Sequence, residues 1–199
     1  MKAVVLDVSP GELAHRKRTG IDRGDEMWEG VLHMSPAPTS EHQRILDELI
    51  MFLGPLLKRT GRAILRSGIN VFDSSSPREN YRIPDLTFVA PARRALLGED
   101  GVRGGGPDAV LEIRSPLDET YDKFPFFAAL EVREVVVVPR DEKKPEVYRL
   151  AGQQYLAVAA DREGWVPSEV LGVRLRLESG TPPRLAIEDG GDPAVRAEI

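Results

Sequence analysis

Ala109-Val110-Leu111-Glu112-Ile113-Arg114-Ser115-Pro116 is an apolar run with one carboxylate inside it, closed by a proline that cannot extend a sheet ladder. Such a run reads as a strand of a central sheet, buried on at least one face. Residues 63–72, 85–89 and 135–138 are short apolar or β-branched runs of the same kind, separated by turn signals. Residues 147–150 and 155–158, joined across Ala151-Gly152-Gln153-Gln154, predict a hairpin, and residues 170–177 a late strand. Upstream, residues 40–59 place Ile45, Leu46, Leu49, Ile50, Phe52, Leu53, Leu56 and Leu57 at helical spacing. Thr39 or Ser40 caps that helix, Gly54-Pro55 is expected to kink it, and Gly61 to stop it.

Toward the N-terminus, Ser9-Pro10-Gly11-Glu12 opens a shorter helix ending near Gly20: serine as cap, proline at the first helical position, glutamate completing a capping box. Residues 27–34 read as one strand, followed by a Pro36-Ala37-Pro38 turn. Helical character returns around residues 119–130, bounded by Pro125. The Gly- and Pro-rich residues 179–199 read as a loosely held tail. No repeat or linker divides the chain, so residues 1–199 are expected to form one α/β domain.

With 41% hydrophobic and 30% charged residues, the 199-residue chain can bury a substantial core. Its net charge of -5 argues against a protein that coats nucleic acid regardless of sequence, but not against an enzyme with a local basic groove. The absence of cysteine removes disulfides, thiolate zinc sites and cysteine nucleophiles together. Only three histidines remain, His15, His33 and His42, which makes a His-rich metal site a poor fit. Gly104-Gly105-Gly106-Pro107 lacks the Lys-Ser/Thr pair of a phosphate loop and reads as a connection. No apolar stretch approaches the roughly 18 residues of a membrane span, and no signal-peptide core is visible. A cytoplasmic protein is expected.

Chemistry enters through carboxylates placed where a sheet should be apolar. An ionised glutamate buried without a partner costs several kcal/mol, so Glu112 needs a cation, a donor set or water nearby. Asp85 stands at the mouth of another strand, in Pro84-Asp85-Leu86-Thr87-Phe88-Val89. Two carboxylates from neighbouring strands and a backbone carbonyl make an oxygen cage suited to magnesium or manganese. The plainer readings are a turn residue for Asp85 and, for Glu112, a strand-end residue that reaches solvent or pairs with Arg114. Lys123 is either a solvated surface lysine or a group that orients water and offsets charge on a phosphate. His42, with Glu41 before it, opens the long helix. It could complement the helix end or make an outer contact to a phosphate.

The order Pro84-Asp85, then Glu112-Ile113-Arg114-Ser115-Pro116, then Asp122-Lys123 resembles the Uma-type family of restriction endonucleases, a branch of the PD-(D/E)XK nuclease fold. In that branch the lysine expected two residues after the glutamate is displaced into the next helix. Arg114 occupies the usual lysine place here, and Lys123 lies downstream. Trp28-Glu29-Gly30-Val31-Leu32, Ser35-Pro36, His42 and Val132-Arg133-Glu134-Val135-Val136-Val137-Val138 agree with the family over about residues 20–178. Phe127 stands where the family has tyrosine, and Glu131 where it has glycine.

The resemblance implies a restriction-endonuclease-like mixed β-sheet flanked by helices, with additional strands at both ends of the chain. It implies a divalent-metal-dependent endonuclease acting on DNA, with Asp85, Glu112 and Lys123 catalytic. Asp85, Glu112 and the Ile113 backbone carbonyl would hold Mg²⁺ or Mn²⁺, and Lys123 would position the nucleophile. His42, Glu41 and Arg114 would contact substrate or outer water. Symmetric cutting of both strands is compatible with a homodimer. The alternative is a non-catalytic member that keeps the fold as a binding or assembly module.

Overall fold

The computed structural model describes residues 3–5, 9–20, 22–35, 37–78 and 80–199, and it is built on three sheets. The turn expected at Pro36 lies outside the described residues. The first sheet has the order β1 (Ala3–Val5), β3 (Val31–Met34), β2 (Glu26–Trp28), β6 (Tyr81–Arg82), β5 (Asn70–Phe72) and β8 (Gly101–Val102). The central sheet has the order β12 (Gln154–Ala157), β11 (Glu146–Ala151), β10 (Glu134–Pro139), β9 (Ala109–Arg114), β7 (Leu86–Val89) and β4 (Ile64–Ser67). The third contains β13 (Val166–Ser168), β14 (Val173–Glu178), β15 (Arg184–Asp189) and β16 (Arg196–Glu198).

In the central sheet β9 and β10 run parallel, and every other neighbouring pair is antiparallel. Side chains alternate between the two faces. Ala109, Leu111 and Ile113 of β9 pack in one cluster with Ile45, Leu49 and Leu53 of α2 (Ser40–Thr60). Val110 lies in a second cluster with Val135, Val137, Phe126 and Phe127, the last two on α3 (Phe124–Ala129). Glu112 has the parity of Val110, which sends its carboxylate to the α3 side. The long apolar stripe of α2 therefore secures one face of the sheet and leaves the other to the charged groups.

Local chemistry sets the helix ends. The Ser9 side chain accepts the Glu12 N–H at the start of α1 (Pro10–Thr19), as the capping box predicts. The Thr39 side chain accepts the His42 N–H at 3.2 Å, and Gly61 ends α2 in the left-handed region at φ 65°. The helix is continuous through Pro55. No helix among the described residues is long and apolar enough to cross a membrane.

Three expectations need correction. Residues 27–34 are two strands, because Glu29 (φ 51°) and Gly30 (φ 88°) turn the chain between β2 and β3. Residues 63–72 divide at Gly68 (φ 57°), sending β4 into the central sheet and β5 into the first. The tail is not loosely held. Leu185 and Ile187 of β15 are fully buried in the cluster beneath α2, and Leu185 exchanges backbone hydrogen bonds of 2.8 Å with Ile199. The apolar residues of β15 outweigh the turn-rich composition around them.

Candidate active site

The ladder between β7 and β9 ends at Leu86–Leu111, one position short of Asp85 and Glu112. There the strands part. The Ile113 N–H, left beyond the ladder, donates instead to Asp85 Oδ2 at 2.7 Å. His42 Nε2, from the first turn of α2, lies 3.3 Å from the same oxygen. Asp85, Glu112, Ile113, His42 and Lys123 all line one cleft of about 600 Å³ at this opening.

Lys123 comes from a 3₁₀ turn, Tyr121–Lys123, that leads into α3. Its ammonium is buried, 3.1 Å from Glu112 Oε1 and 2.8 Å from Glu26 Oε1. Glu26, on β2, is a member of the site that sequence reasoning missed. Its Oε1 also accepts the Ile83 N–H at 2.9 Å, and its Oε2 accepts the Trp28 Nε1–H at 2.8 Å. Trp28 is held in turn by stacking on His33 at 4.1 Å and by the Arg82 guanidinium over its ring. The signal available was the pairing of an acid with a tryptophan at i, i+2 on one strand face.

Charge is unevenly matched here. Burial pushes the Glu112 carboxyl up to about 8, with Asp85 and Glu26 adding to the rise against the pull of Lys123. Glu26 goes the other way. Burial opposes its ionisation, but attraction and hydrogen bonding to Lys123, with the Ile83 and Trp28 donors, hold it below the usual range. Burial also opposes the charge on Lys123, and Glu112 and Glu26 more than compensate, so it stays protonated. His42 is raised as well: its own burial works against the charge, and the hydrogen bond to Asp85, the attraction of Asp85 and Asp118 and a bond to the Ile113 backbone together outweigh that. One buried lysine thus serves two buried carboxylates, with a third, Asp85, beside them.

This donor set fits a hard divalent cation. Glu112 Oε2 and Asp85 Oδ1 have no hydrogen-bond partner among the described residues, and three carboxyl groups gather around the single ammonium of Lys123. No three His, Asp or Glu side chains form a metal cage among the described residues. An ion here would take two carboxylates and complete its shell with backbone oxygen and water.

Two expected residues lie elsewhere. Glu41 faces away from the cleft, where hydrogen bonds from Arg44 and Lys143, each at 2.8 Å, hold its carboxyl down to about 2. Its neighbour in sequence, His42, points into the cleft because successive helix positions diverge by about 100°. Arg114 does not neutralise Glu112, a task that falls to Lys123. Its guanidinium sits 5.6 Å from the Tyr121 ring centroid. Glu131, standing where glycine is usual, occupies the left-handed region at φ 57° just past α3, a position where glycine carries no strain. Phe127 is fully buried in the second cluster.

At the rim, Ser115-Pro116-Leu117-Asp118 forms a tight loop. Asp118 Oδ2 accepts the Ser115 N–H at 2.6 Å, and Oδ1 accepts the Thr120 N–H and hydroxyl at 3.0 and 2.7 Å. Arg23 and Arg140 also line the cleft.

The model of the family described as "Uma2: Putative restriction endonuclease" matches residues 25–187, a span that holds Glu26, His42, Asp85, Glu112 and Lys123. No curated protein matches the chain. Among solved structures, the chain is similar to "a putative nuclease belonging to DUF820" from Anabaena variabilis, with a TM-score of 0.58. The two are 18% identical, over 74% of this chain and 82% of that one. The likeness assigns the mixed α/β architecture to a nuclease-type fold. With most of its length matched by the family model, the chain belongs to the Uma2 "putative restriction endonuclease" family.

Proposed function

We propose that this protein is a divalent-metal-dependent endonuclease that hydrolyses DNA phosphodiester bonds. The observation that carries the reading is the gathering of three carboxyl groups, Glu26, Glu112 and Asp85, around Lys123 where β7 and β9 part. Asp85, Glu112 and the Ile113 carbonyl would hold Mg²⁺ or Mn²⁺. When bound, the ion supplies polarisation of the phosphate and a lower pKa for the attacking water.

The protein's own groups do the remaining work. Glu26 and Glu112 hold the Lys123 ammonium at the floor of the cleft. Because Lys123 stays protonated, it acts as a hydrogen-bond donor that aims the nucleophile and offsets charge on the phosphate, not as a base. His42, in the first turn of α2, offers the phosphate a second donor. Arg23 gives the mouth of the cleft a positive charge that the whole chain, at -5, lacks.

Purified protein is expected to nick supercoiled plasmid with Mg²⁺ or Mn²⁺, with EDTA stopping the reaction and steep inhibition by salt. Asp85→Asn should weaken cation binding, measured by calorimetry. Lys123→Gln, which keeps a donor toward Glu26 and Glu112, should leave cation binding nearly intact and slow cutting by roughly 10²–10⁴-fold. Equal residual cutting by wild type and both variants would overturn the reading.

A further inference from the structure

We propose that Leu117 is a wedge that enters the base stack of bound duplex DNA and unstacks a base step beside the scissile phosphate. The inference rests on the nuclease reading and adds how the substrate is engaged. Leu117 is 97% exposed, more than any other large hydrophobic side chain among the described residues. Of the exposed ones, Leu13, Met51, Tyr121 and Leu156 lie outside the cleft, and Leu117 alone lines it.

Its backbone is equally unusual. Leu117 sits at φ 64°, a left-handed conformation that suits Gly, Asn or Asp and penalises a leucine. The other non-glycine residues with positive φ among the described residues, Glu29, Glu131 and Lys143, are all charged. The fold recovers neither the strain nor the exposure, since the side chain packs on nothing. Strain kept at a site without a packing return points to function.

The loop is also built to resist movement. Asp118 ties Ser115 and Thr120 through three hydrogen bonds, and Pro116 stiffens the approach to Leu117. The loop follows β9 directly, so the apolar tip is fixed relative to Glu112. Arg23 lines the same cleft and supplies a cation for a phosphate. A rigid aliphatic tip in a cleft that also holds an arginine is the chemistry used to part stacked bases, with leucine among the side chains that do it.

The test uses a duplex with 2-aminopurine at alternate positions, so that unstacking at any bound site raises fluorescence, in Ca²⁺ buffer. Wild type should bind, read by anisotropy, and raise the fluorescence several-fold. Leu117→Asn, whose residue accepts the left-handed backbone, and Leu117→Ala should bind within about threefold of wild type and lose most of the rise. Leu117→Ala should melt at the wild-type temperature and Leu117→Asn at or slightly above it, and Leu117→Phe should restore the signal. A flat signal from bound wild type, or an equal rise in the variants, overturns the wedge. So does a wild-type dimer that Leu117→Ala dissolves while the fluorescence is unchanged, because Leu117 is then a contact between copies. Binding and unstacking without plasmid nicking would sink the nuclease reading while upholding the wedge. Absence of duplex binding overturns both.

Discussion

Glu112 and Glu134 are buried carboxylates on neighbouring parallel strands, and the protein treats them oppositely. Glu134, at the start of β10, accepts the Ser168 hydroxyl at 3.1 Å and the Glu169 and Val170 N–H groups at 3.0 and 2.6 Å. Those donors belong to β13 and the turn after it, so this carboxylate fastens the third sheet to the central one. Glu112, toward the end of β9, receives Lys123 alone and shares it with Glu26. A carboxylate fed by backbone donors is part of the frame. One that shares a single cation at the edge of a cleft leaves an oxygen for a ligand to meet.

The largest effect that would break this contrast is on stability. Glu134→Ala strands two backbone N–H groups and a hydroxyl. It should cost roughly 3–5 kcal/mol, a fall on the order of 10 °C in Tm. Glu112→Gln should hold or raise Tm while abolishing Mg²⁺ binding, because the amide keeps the shape without the desolvated charge. Thermal melts of the two variants with the opposite outcome would mark Glu112 as the structural group.

A smaller effect sharpens the comparison through pH. Glu112 releases its proton near the usual 4.5 when unfolded and near 8 when folded. The unfolded chain therefore loses the proton first, and wild-type stability from this group falls as pH rises between those values. Without added cation, the Tm advantage of Glu112→Gln should be absent below about pH 4.5 and grow to several degrees by about pH 8. A pH-independent difference would mean that Glu112 is ionised throughout.

The smallest effect sets the floor. Glu48→Ala breaks the exposed Arg44–Glu48 pair on α2 and should shift stability by no more than about 0.5 kcal/mol. A melt showing a larger loss would mean that surface pairs, and not the buried carboxylates, carry this part of the fold.

The elements that were legible in advance are those whose signal is local. The stripe of α2, the run around Glu112 and the Ser9 cap each declare themselves within one or two helical turns or strand lengths. β15 was obscured because turn-forming residues surround it and because Glu188 and Asp189, which read as surface acids, are buried in it along with Leu185 and Ile187. Glu26 was obscured for a different reason. Its partner Lys123 lies far along the chain, and Asp25-Glu26 looks like an ordinary surface acid pair until Trp28 Nε1 is seen bonded to it. Glu41 and Arg114 show the reverse failure: sequence adjacency to His42 and Glu112 placed them near the cleft, and nearer partners, Arg44 and Tyr121, hold them elsewhere.

The cleft draws Glu26 from the first sheet, Glu112 from the central one and Lys123 from the segment before α3, so it has a history as well as a geometry. Pairings between residues so far apart in the chain form late, because their loop entropy is lost before their contacts reward it. Until the β2–β3 hairpin docks, Lys123 has Glu112 as its one side-chain hydrogen-bond partner. Docking brings in Glu26, whose 2.8 Å contact fixes the ammonium from a second side. Asp85, Glu112 and Ile113 stand together on the central sheet beforehand, so what arrives with the hairpin is the fixed position of Lys123.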